Sequence, residues 1–270
     1  MCLCGSLDRF DKQLKEAFAA PDCCAVVLEM NSPGGSPSQS ALLHARLKAL
    51  KAEHPAIPLL CFCTDVCASG GYYVAAACDE IHVLPTTLVG SIGVVAPSVG
   101  LPGLLKMYGI EDRTLTAGTA KLGDHPLAPR NPVAIARKRA VLDEVHQDFT
   151  TKVTAARGER LKHAEAYNIA YRCGDRKSRK ERRSALFDGA VYAGQTAVAV
   201  GLADGLYDDL TVELERRYGK GVSVRELKAR PSLMERLQSL QEVSAAAHAT
   251  ALVRAAGAEL SASSVGVEVR

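Results

Sequence analysis

Along the first two hundred residues the apolar positions follow two different periods. In residues 8–20 (DRFDKQLKEAFAA) apolar side chains recur three and four apart, which predicts an amphipathic helix. Asp22 and Cys23 interrupt that pattern, and residues 25–30 form a short apolar run suited to a buried strand. NSPGGSPSQS is then a dense turn signal, within which Ser36 is placed to cap a helix whose first position is Pro37. That helix extends to about His54, with Leu43, Leu47 and Leu50 along one face. Residues 57–63 read as the next buried strand, CASGGYYVAAA as a glycine turn entering a helix, and residues 80–83 as a further strand. Strands alternating with helices at this spacing predict βαβ units, that is, an α/β fold with a mostly parallel sheet flanked by helices.

Beyond residue 100 the expected elements are a short helix over 101–108, a short strand over 113–116 and a long helix from Asn131 to about Ala156. The long helix carries Leu142, Val145, Phe149 and Val153 at 3–4–4 spacing. After about Arg230 the sequence becomes rich in alanine and serine and loses its pattern, as a frayed helix and tail would. The chain therefore divides into one domain over residues 1–210 and a helical extension with a flexible tail over 211–270.

Composition narrows the class. Apolar residues at 47% and charged residues at 23% are ordinary globular usage and exclude wholesale disorder. No stretch approaches the roughly 18 uninterrupted apolar residues of a membrane span. The opening MCLCGSLDRFDKQLKEAF lacks the basic-then-apolar order of a secretory signal, so the chain as it stands reads as soluble. Nine cysteines, at 2, 4, 23, 24, 61, 63, 67, 78 and 173, make an odd count without a C-x₂-C pair, and most sit inside apolar runs. That usage fits buried reduced thiols in a reducing compartment better than a disulfide framework or a zinc site.

The net charge of +3 is too small to point to nucleic acid. It is unevenly spread: RKSRKERR at 176–183 carries +5, leaving −2 for the rest of the chain. The run reads as a solvated insertion over about 174–184, with a polyanion-binding or nuclear-targeting patch as the sharper alternative. It contains no aromatic residue on which a base could stack, which argues against single-stranded nucleic acid.

Candidate chemistry lies on three loops that a parallel sheet would gather at one edge, where open α/β sheets place their sites. Ser32-Pro33-Gly34-Gly35 can expose backbone N–H groups with no side chain in the way, the donors a developing oxyanion needs, or it is an ordinary strand–helix turn. In Ala68-Ser69-Gly70-Gly71-Tyr72 a serine stands between a strand and a helix start, open to act as a nucleophile or only as a cap. TAGTAKLGD places Lys121 on a glycine-flanked loop; a lysine serves as a base only where burial or a nearby cation favours its neutral form. His82 and His125 are competing bases, each without an obvious orienting acid in the sequence, and spacing alone leaves a Ser-His-Asp arrangement open.

MNSPGGSPSQS, ASGGYYVAAACDEIHV, TTLVGSIGVV and TAGTAKLGD, in this order, resemble the signal peptide peptidase A family of serine proteases. The closer likeness is to its SohB branch, through TAGTAKLGDHPLAPRN followed by VLDEVHQDFTTKV. GAVYAGQTAVAVGLADGL at 189–206 resumes the match, which covers roughly residues 10–210. The resemblance implies a ClpP/crotonase-like α/β fold and a Ser-Lys dyad that cleaves peptide or unfolded-protein substrates through an acyl-enzyme, without a metal or cofactor. It carries the nucleophile to Ser69, the base to Lys121, 52 residues further on, and the lysine-orienting hydroxyl to Ser91. The Gly70 N–H with that of Gly34 or Gly35 becomes the oxyanion hole, and Val94 and Val95 are placed beside the serine to favour small apolar side chains. It also implies a homo-oligomeric ring in which a neighbouring subunit completes the site.

Two features depart from the family. Its members usually carry an N-terminal membrane anchor and a first strand ahead of the 8–20 helix. CLCGSL is too short to supply either, so the expectation is a soluble variant or a chain that lacks its natural start, with peripheral membrane association left open. The lysine loop reads KLGD, where a polar or basic residue is expected after the lysine. The competing readings are a catalytically silent ring scaffold of the same fold and a crotonase-type acyl-CoA enzyme, for which Asp124 is the one carboxylate near the glycine loops.

Overall fold

The computed structural model describes residues 7–118, 120–164, 166 and 185–227. The basic run 176–183 and the alanine- and serine-rich stretch after 230 lie outside the described residues. The chain divides into Met1–Glu226 and Leu227–Arg270, and the architecture below is that of the first unit.

Helix α1 (Leu7–Phe18) buries Phe10, Leu14 and Phe18 at i, i+4 and i+8 and leads into β1 (Val26–Ser32), whose alternate residues Val26, Leu28, Met30 and Ser32 are buried. In α2 (Pro37–Glu53) the buried stripe is Ser40, Leu43, His44, Leu47 and Leu50. Ser36 occupies the position before that helix but its side chain forms no capping bond. Pro37 starts the helix instead, since its missing N–H removes one of the donors a cap would have to satisfy. Strand β2 (Leu59–Ala68) follows and then α3 (Gly70–Ala75), every residue of which is buried. Next come β3 (Glu80–Val83), β4 (Leu88–Gly90), α4 (Pro102–Met107) and α5 (Pro132–Arg157), whose first turn is capped by the Asn131 side chain accepting from the N–H groups of Val133 and Ala134. The described chain closes with β5 (Val191–Ala193), α6 (Gly194–Ala199), β6 (Gly205–Leu206) and α7 (Leu210–Tyr218).

Among the described residues six strands form one sheet in the order β5-β4-β2-β3-β6, with β1 on the remaining edge of β2. Every pairing is parallel except β4 with β5. This is the α/β architecture that the strand–helix alternation and the family resemblance led us to expect. Strand β2 is its spine: residues 59–63 are apolar without interruption and fully buried, as a strand covered on both faces must be. One of its faces packs Leu60 and Phe62 against Tyr207 and Leu214, so α7 belongs to this unit.

Three further expectations need correction. β2 continues five residues past Cys63 to Ala68, because it changes neighbours partway along. Residues 113–116 form no strand: they are exposed, and the Thr114 N–H turns back to Asp112 Oδ1 at 3.0 Å instead of meeting another strand. In α5 the 3–4–4 stripe is buried only at Phe149 and Val153, while Leu142 and Val145 are half-buried. Of the cysteines, 61, 63, 67 and 78 are buried free thiols, Cys23 is half-buried and Cys24 exposed; Cys2, Cys4 and Cys173 lie outside the described residues. Hydrogen bonding to Cys63, together with burial, holds the Cys61 and Cys67 thiols well above the ordinary thiol range, so both stay protonated inside the core. No helix among the described residues is long and apolar enough to cross a membrane.

One ion pair ties the end of α5 to the sheet. Arg157, buried, donates to Asp204 through two parallel bonds of 2.6 and 3.0 Å and to the Gly201 carbonyl at 3.0 Å. Asp204 also accepts the Ile81 N–H at 2.7 Å and Arg160 at 2.9 Å. Burial pushes its carboxyl upward, but the two guanidiniums and the Ile81 N–H outweigh that and leave it below the ordinary aspartate value of 3.8. Removing one partner strands the other in a buried setting, so Arg157→Ala is expected to cost about 3–5 kcal/mol in denaturant unfolding. Because the folded carboxyl titrates lower than the unfolded one, the stabilisation is complete above pH 3.8 and is lost as pH falls through the folded value. Asp204→Asn should flatten that acid limb of the stability curve while lowering the neutral plateau.

Candidate active site

Ser69 sits where β2 ends and α3 begins, with φ of 51° and ψ of −125°. Among the described residues a positive φ outside glycine occurs only at Asp22, Ser69 and Ser91. Such a backbone costs on the order of 1–3 kcal/mol and persists only where neighbours enforce it. Here the Ser69 N–H donates to Gly90 O at 2.8 Å and the Ser69 carbonyl accepts the Tyr73 N–H at 3.0 Å, so one side of the turn is held by β4 and the other by α3. The turn lifts the side chain off the strand line, as the elbow of a nucleophilic serine does, though without the G-x-S-x-G pattern.

The turn faces the loop after β1 at van der Waals distance. A Cβ on Gly34 would stand 2.8 Å from Ser69 Cβ, 2.9 Å from Gly70 N and 3.1 Å from Ser69 Oγ. A Cβ on Gly70 would stand 2.4 Å from Ser40 Oγ and 3.2 Å from Gly35 N. Glycine at both positions is thus a matter of space, and at Gly34 of a φ of 112° as well. The Gly34 N–H donates to Ser32 Oγ at 3.2 Å. The N–H groups of Gly35 and Gly70 meet no acceptor among the described residues, and Gly70 directly follows the half-buried Ser69.

Ser91 repeats the geometry one strand away. It follows β4 as Ser69 follows β2, Ala68 and Gly90 are partners in register, and its φ is also 51°. Its N–H donates to Ala190 O at 2.8 Å, which anchors the VGSIG turn to the start of β5. Ser69, Gly70, Gly34, Gly35 and Ser91 therefore share one edge of the sheet, at the carboxyl ends of β1, β2 and β4.

Lys121 stands on another segment, the loop between α4 and α5. It lies on an exposed turn, its N–H donating to Gly118 O at 3.1 Å, and among the described residues no hydrogen bond links it to Ser69 or Ser91. Residues 111–118 around it are exposed throughout, so little packing fixes the loop. Val95 is 86% exposed and Val94 half-buried, so the two form no closed pocket. The competing bases have other partners. His82 meets Glu80 at 2.7 Å and Arg217 at 2.9 Å at the opposite end of β2, and His125 faces Asp112 at 3.8 Å. Asp124 pairs with Lys138 at 2.5 Å. Among the described residues no group of three or more His, Cys, Asp or Glu side chains could hold a metal ion.

Sequence reasoning overlooked several polar side chains around this edge. Ser40 is buried against Gly70 with its hydroxyl donating to Ser36 O at 3.1 Å. Its only trace in the sequence is a small residue one turn into α2 on the apolar side. Tyr73 donates to Asp148 at 2.6 Å and so ties α3, immediately after Ser69, to α5. Burial and that bond raise the Tyr73 hydroxyl above the tyrosine range.

Residues 51–171 match the model for Peptidase family S49. The chain is 39% identical over 223 residues to a Na(+)/H(+) antiporter NhaA of Brucella melitensis, which covers 83% of this chain and 27% of that protein. It is 30% identical over 195 residues to a putative signal peptide peptidase SppA of Enterococcus faecium, covering 72% of this chain and 51% of the other. Over 132 residues it is 32% identical to a probable protease SohB of Haemophilus influenzae, covering 49% and 37%. The chain thus spans between about a quarter and a half of these curated relatives. The family model covers the segment that holds Ser69, Ser91 and Lys121, the peptidase relatives extend the likeness, and from the two together it follows that this chain belongs to peptidase family S49, the signal peptide peptidase A family.

Proposed function

We propose that the chain is a serine endopeptidase in which Ser69 is the nucleophile and Lys121 the general base. The observation that carries this reading is Ser69 itself: a non-glycine residue held at φ 51° beside two unclaimed backbone N–H groups. Ser69 Oγ attacks the substrate carbonyl carbon while neutral Lys121 Nζ takes its proton. The carbonyl π electrons move onto oxygen, and the N–H groups of Gly70 and Gly35 hold that oxyanion. Gly35 is preferred over Gly34 because the Gly34 N–H is already given to Ser32 Oγ. Collapse of the intermediate breaks the C–N bond, the lysine proton passes to the leaving amine, and water then hydrolyses the acyl-enzyme by the same steps in reverse order. Ser91, beside Ser69 in register, is the hydroxyl that orients the lysine.

The position of Lys121 on an exposed turn gives assembly a chemical purpose. A lysine becomes a base only when something excludes water from it. Around its loop Val95, Val99, Leu104, Met107, Tyr108 and Ile110 are all more than half exposed, an apolar surface that a monomer in water does not favour. A second copy seated there, as in a ring, would cover both the apolar residues and the lysine turn. The substrates are peptides or unfolded proteins. The exposure of Lys121, with no hydrogen bond to Ser69 among the described residues, favours one alternative, a scaffold of this fold without turnover. The crotonase-type reading has less behind it, since Asp124 is engaged by Lys138.

Cleavage of an unstructured protein substrate should fall by at least about 10³-fold in kcat/KM in both Ser69→Ala and Lys121→Ala, with melting temperatures unchanged. Full activity in Lys121→Ala would overturn the dyad, and activity absent from the wild-type assembly would favour the scaffold. Met107→Asp with Ile110→Asp is expected to shift the sedimentation coefficient from an assembly to a monomer and to abolish cleavage together with it.

A further inference from the structure

Between β1 and β2 the register slips. Met30 pairs with Cys63 and Ser32 with Cys67, so four steps along β2 answer two along β1. This is a bulge, and at it β2 changes neighbours: residues 60–63 pair with β3, and residues 66–68 pair with β4. At the bulge, backbone groups of residues 63, 64 and 66 are bound by side chains from two directions, the Cys63 carbonyl by Tyr207 Oη at 3.1 Å as well as by Thr87. From inside the fold, the fully buried Thr87 hydroxyl is shared between the carbonyls of Cys63, at 3.1 Å, and Thr64, while accepting the Leu84 N–H at 2.9 Å. From the surface, Asn31 Oδ1 accepts the Val66 N–H at 3.2 Å, and Asn31 Nδ2 donates to Asp65 Oδ2 at 2.6 Å.

We propose that this clamped bulge is the device that aims Ser69, and that Thr87 and Asn31 are its positioning residues. The proposal rests on the reading of Ser69 as the nucleophile. Only Val66, Cys67 and Ala68 separate the clamp from Ser69, and all three are locked in register with β4. A slip of one residue would move the serine by about 3.3 Å along the strand. The site tolerates far less, since Ser69 Oγ lies 3.1 Å from where a Gly34 Cβ would stand and Gly70 N only 2.9 Å from it. A displacement near 1 Å is enough to cost an enzyme about 10²-fold in rate. Asn31 adds a direct link, because it stands next to Ser32, whose hydroxyl holds the Gly34 N–H. One side chain thereby sets both loops of the site against each other.

The test measures kcat and KM separately, with amide hydrogen exchange over residues 64–70 on the same samples. Thr87→Val removes the hydroxyl and keeps the shape; it should lower kcat by about 10²-fold with little change in KM, and Thr87→Ser should recover most of the loss. Should Thr87→Val not fold, the surface pair decides. Asn31→Asp sets two carboxylates against each other and should lower kcat about tenfold with faster exchange over 64–70. Combining it with Asp65→Asn turns the donor–acceptor pair round, keeps an oxygen for the Val66 N–H and should restore both readouts. Wild-type kcat and exchange in Asn31→Asp, a loss confined to KM, or a loss the paired exchange does not restore would each overturn the clamp. If the wild type shows no cleavage that Ser69→Ala abolishes, the nucleophile reading fails by itself. The exchange data then decide the clamp alone: faster exchange in Asn31→Asp supports it and unchanged exchange overturns it.

Discussion

Strand β2 has to satisfy three neighbours with one backbone. Its first half lies between β1 and β3 and its second half between β1 and β4, and a regular strand cannot change partner without leaving backbone groups unpaired. The bulge at residues 63–67 resolves that conflict, and the rest of the site follows from how it does so. Because β2 reaches β4, Ser69 can donate its N–H to Gly90 and be forced into a left-handed turn; because β1 stays alongside, the SPGG loop closes over that turn. The strain at Ser69 is a local cost that the surrounding ladder imposes, which is how backbone outliers survive at working sites.

The chain is built in two regimes. Residues 59–83 are mostly buried and carry Ser69, whereas residues 95–118 are almost wholly exposed and lead to Lys121. In the proposed dyad Ser69 would belong to the packed core and Lys121 to a loosely packed loop, an arrangement the single chain does not preorganise. On the proposed reading, preorganisation comes from whatever covers the loop, which couples assembly to catalysis. The helix that leaves this loop reflects the same division: α5 is buried at its C-terminal end, where Arg157 grips Asp204, and open at its N-terminal end, where Val133 and Val141 face water.

Much of this was legible in the sequence because the signals are local. The apolar run of β2, the glycine pairs at 34–35 and 70–71, and the Pro37 and Asn131 helix starts each follow from steric or hydrogen-bonding rules that act over a few residues. The strands that escaped notice, β4, β5 and β6, are two or three residues long and owe their existence to a neighbour instead of a pattern. The extension of β2 was hidden for the same reason, since Thr64 and Asp65 read as a polar stop unless Thr87 and Asn31 are known to stand beside them. Residues 113–116 show the converse: a β-favourable composition with no strand to pair with stays a loop. The family likeness named Ser69, Ser91 and Lys121 from motif order, while the register of β2 with β4 explains why the first two stand together.

Whether Ser69 is an activated nucleophile decides between a peptidase and an idle fold. A fluorophosphonate that labels such serines, applied to the assembled protein and mapped by mass spectrometry, tests this before any substrate is known. Covalent modification at Ser69 is expected in the wild type, and none when Lys121 is replaced by alanine in an assembly of the same size. Labelling elsewhere in the chain, or equal labelling of Ser69 with and without the lysine, would contradict it.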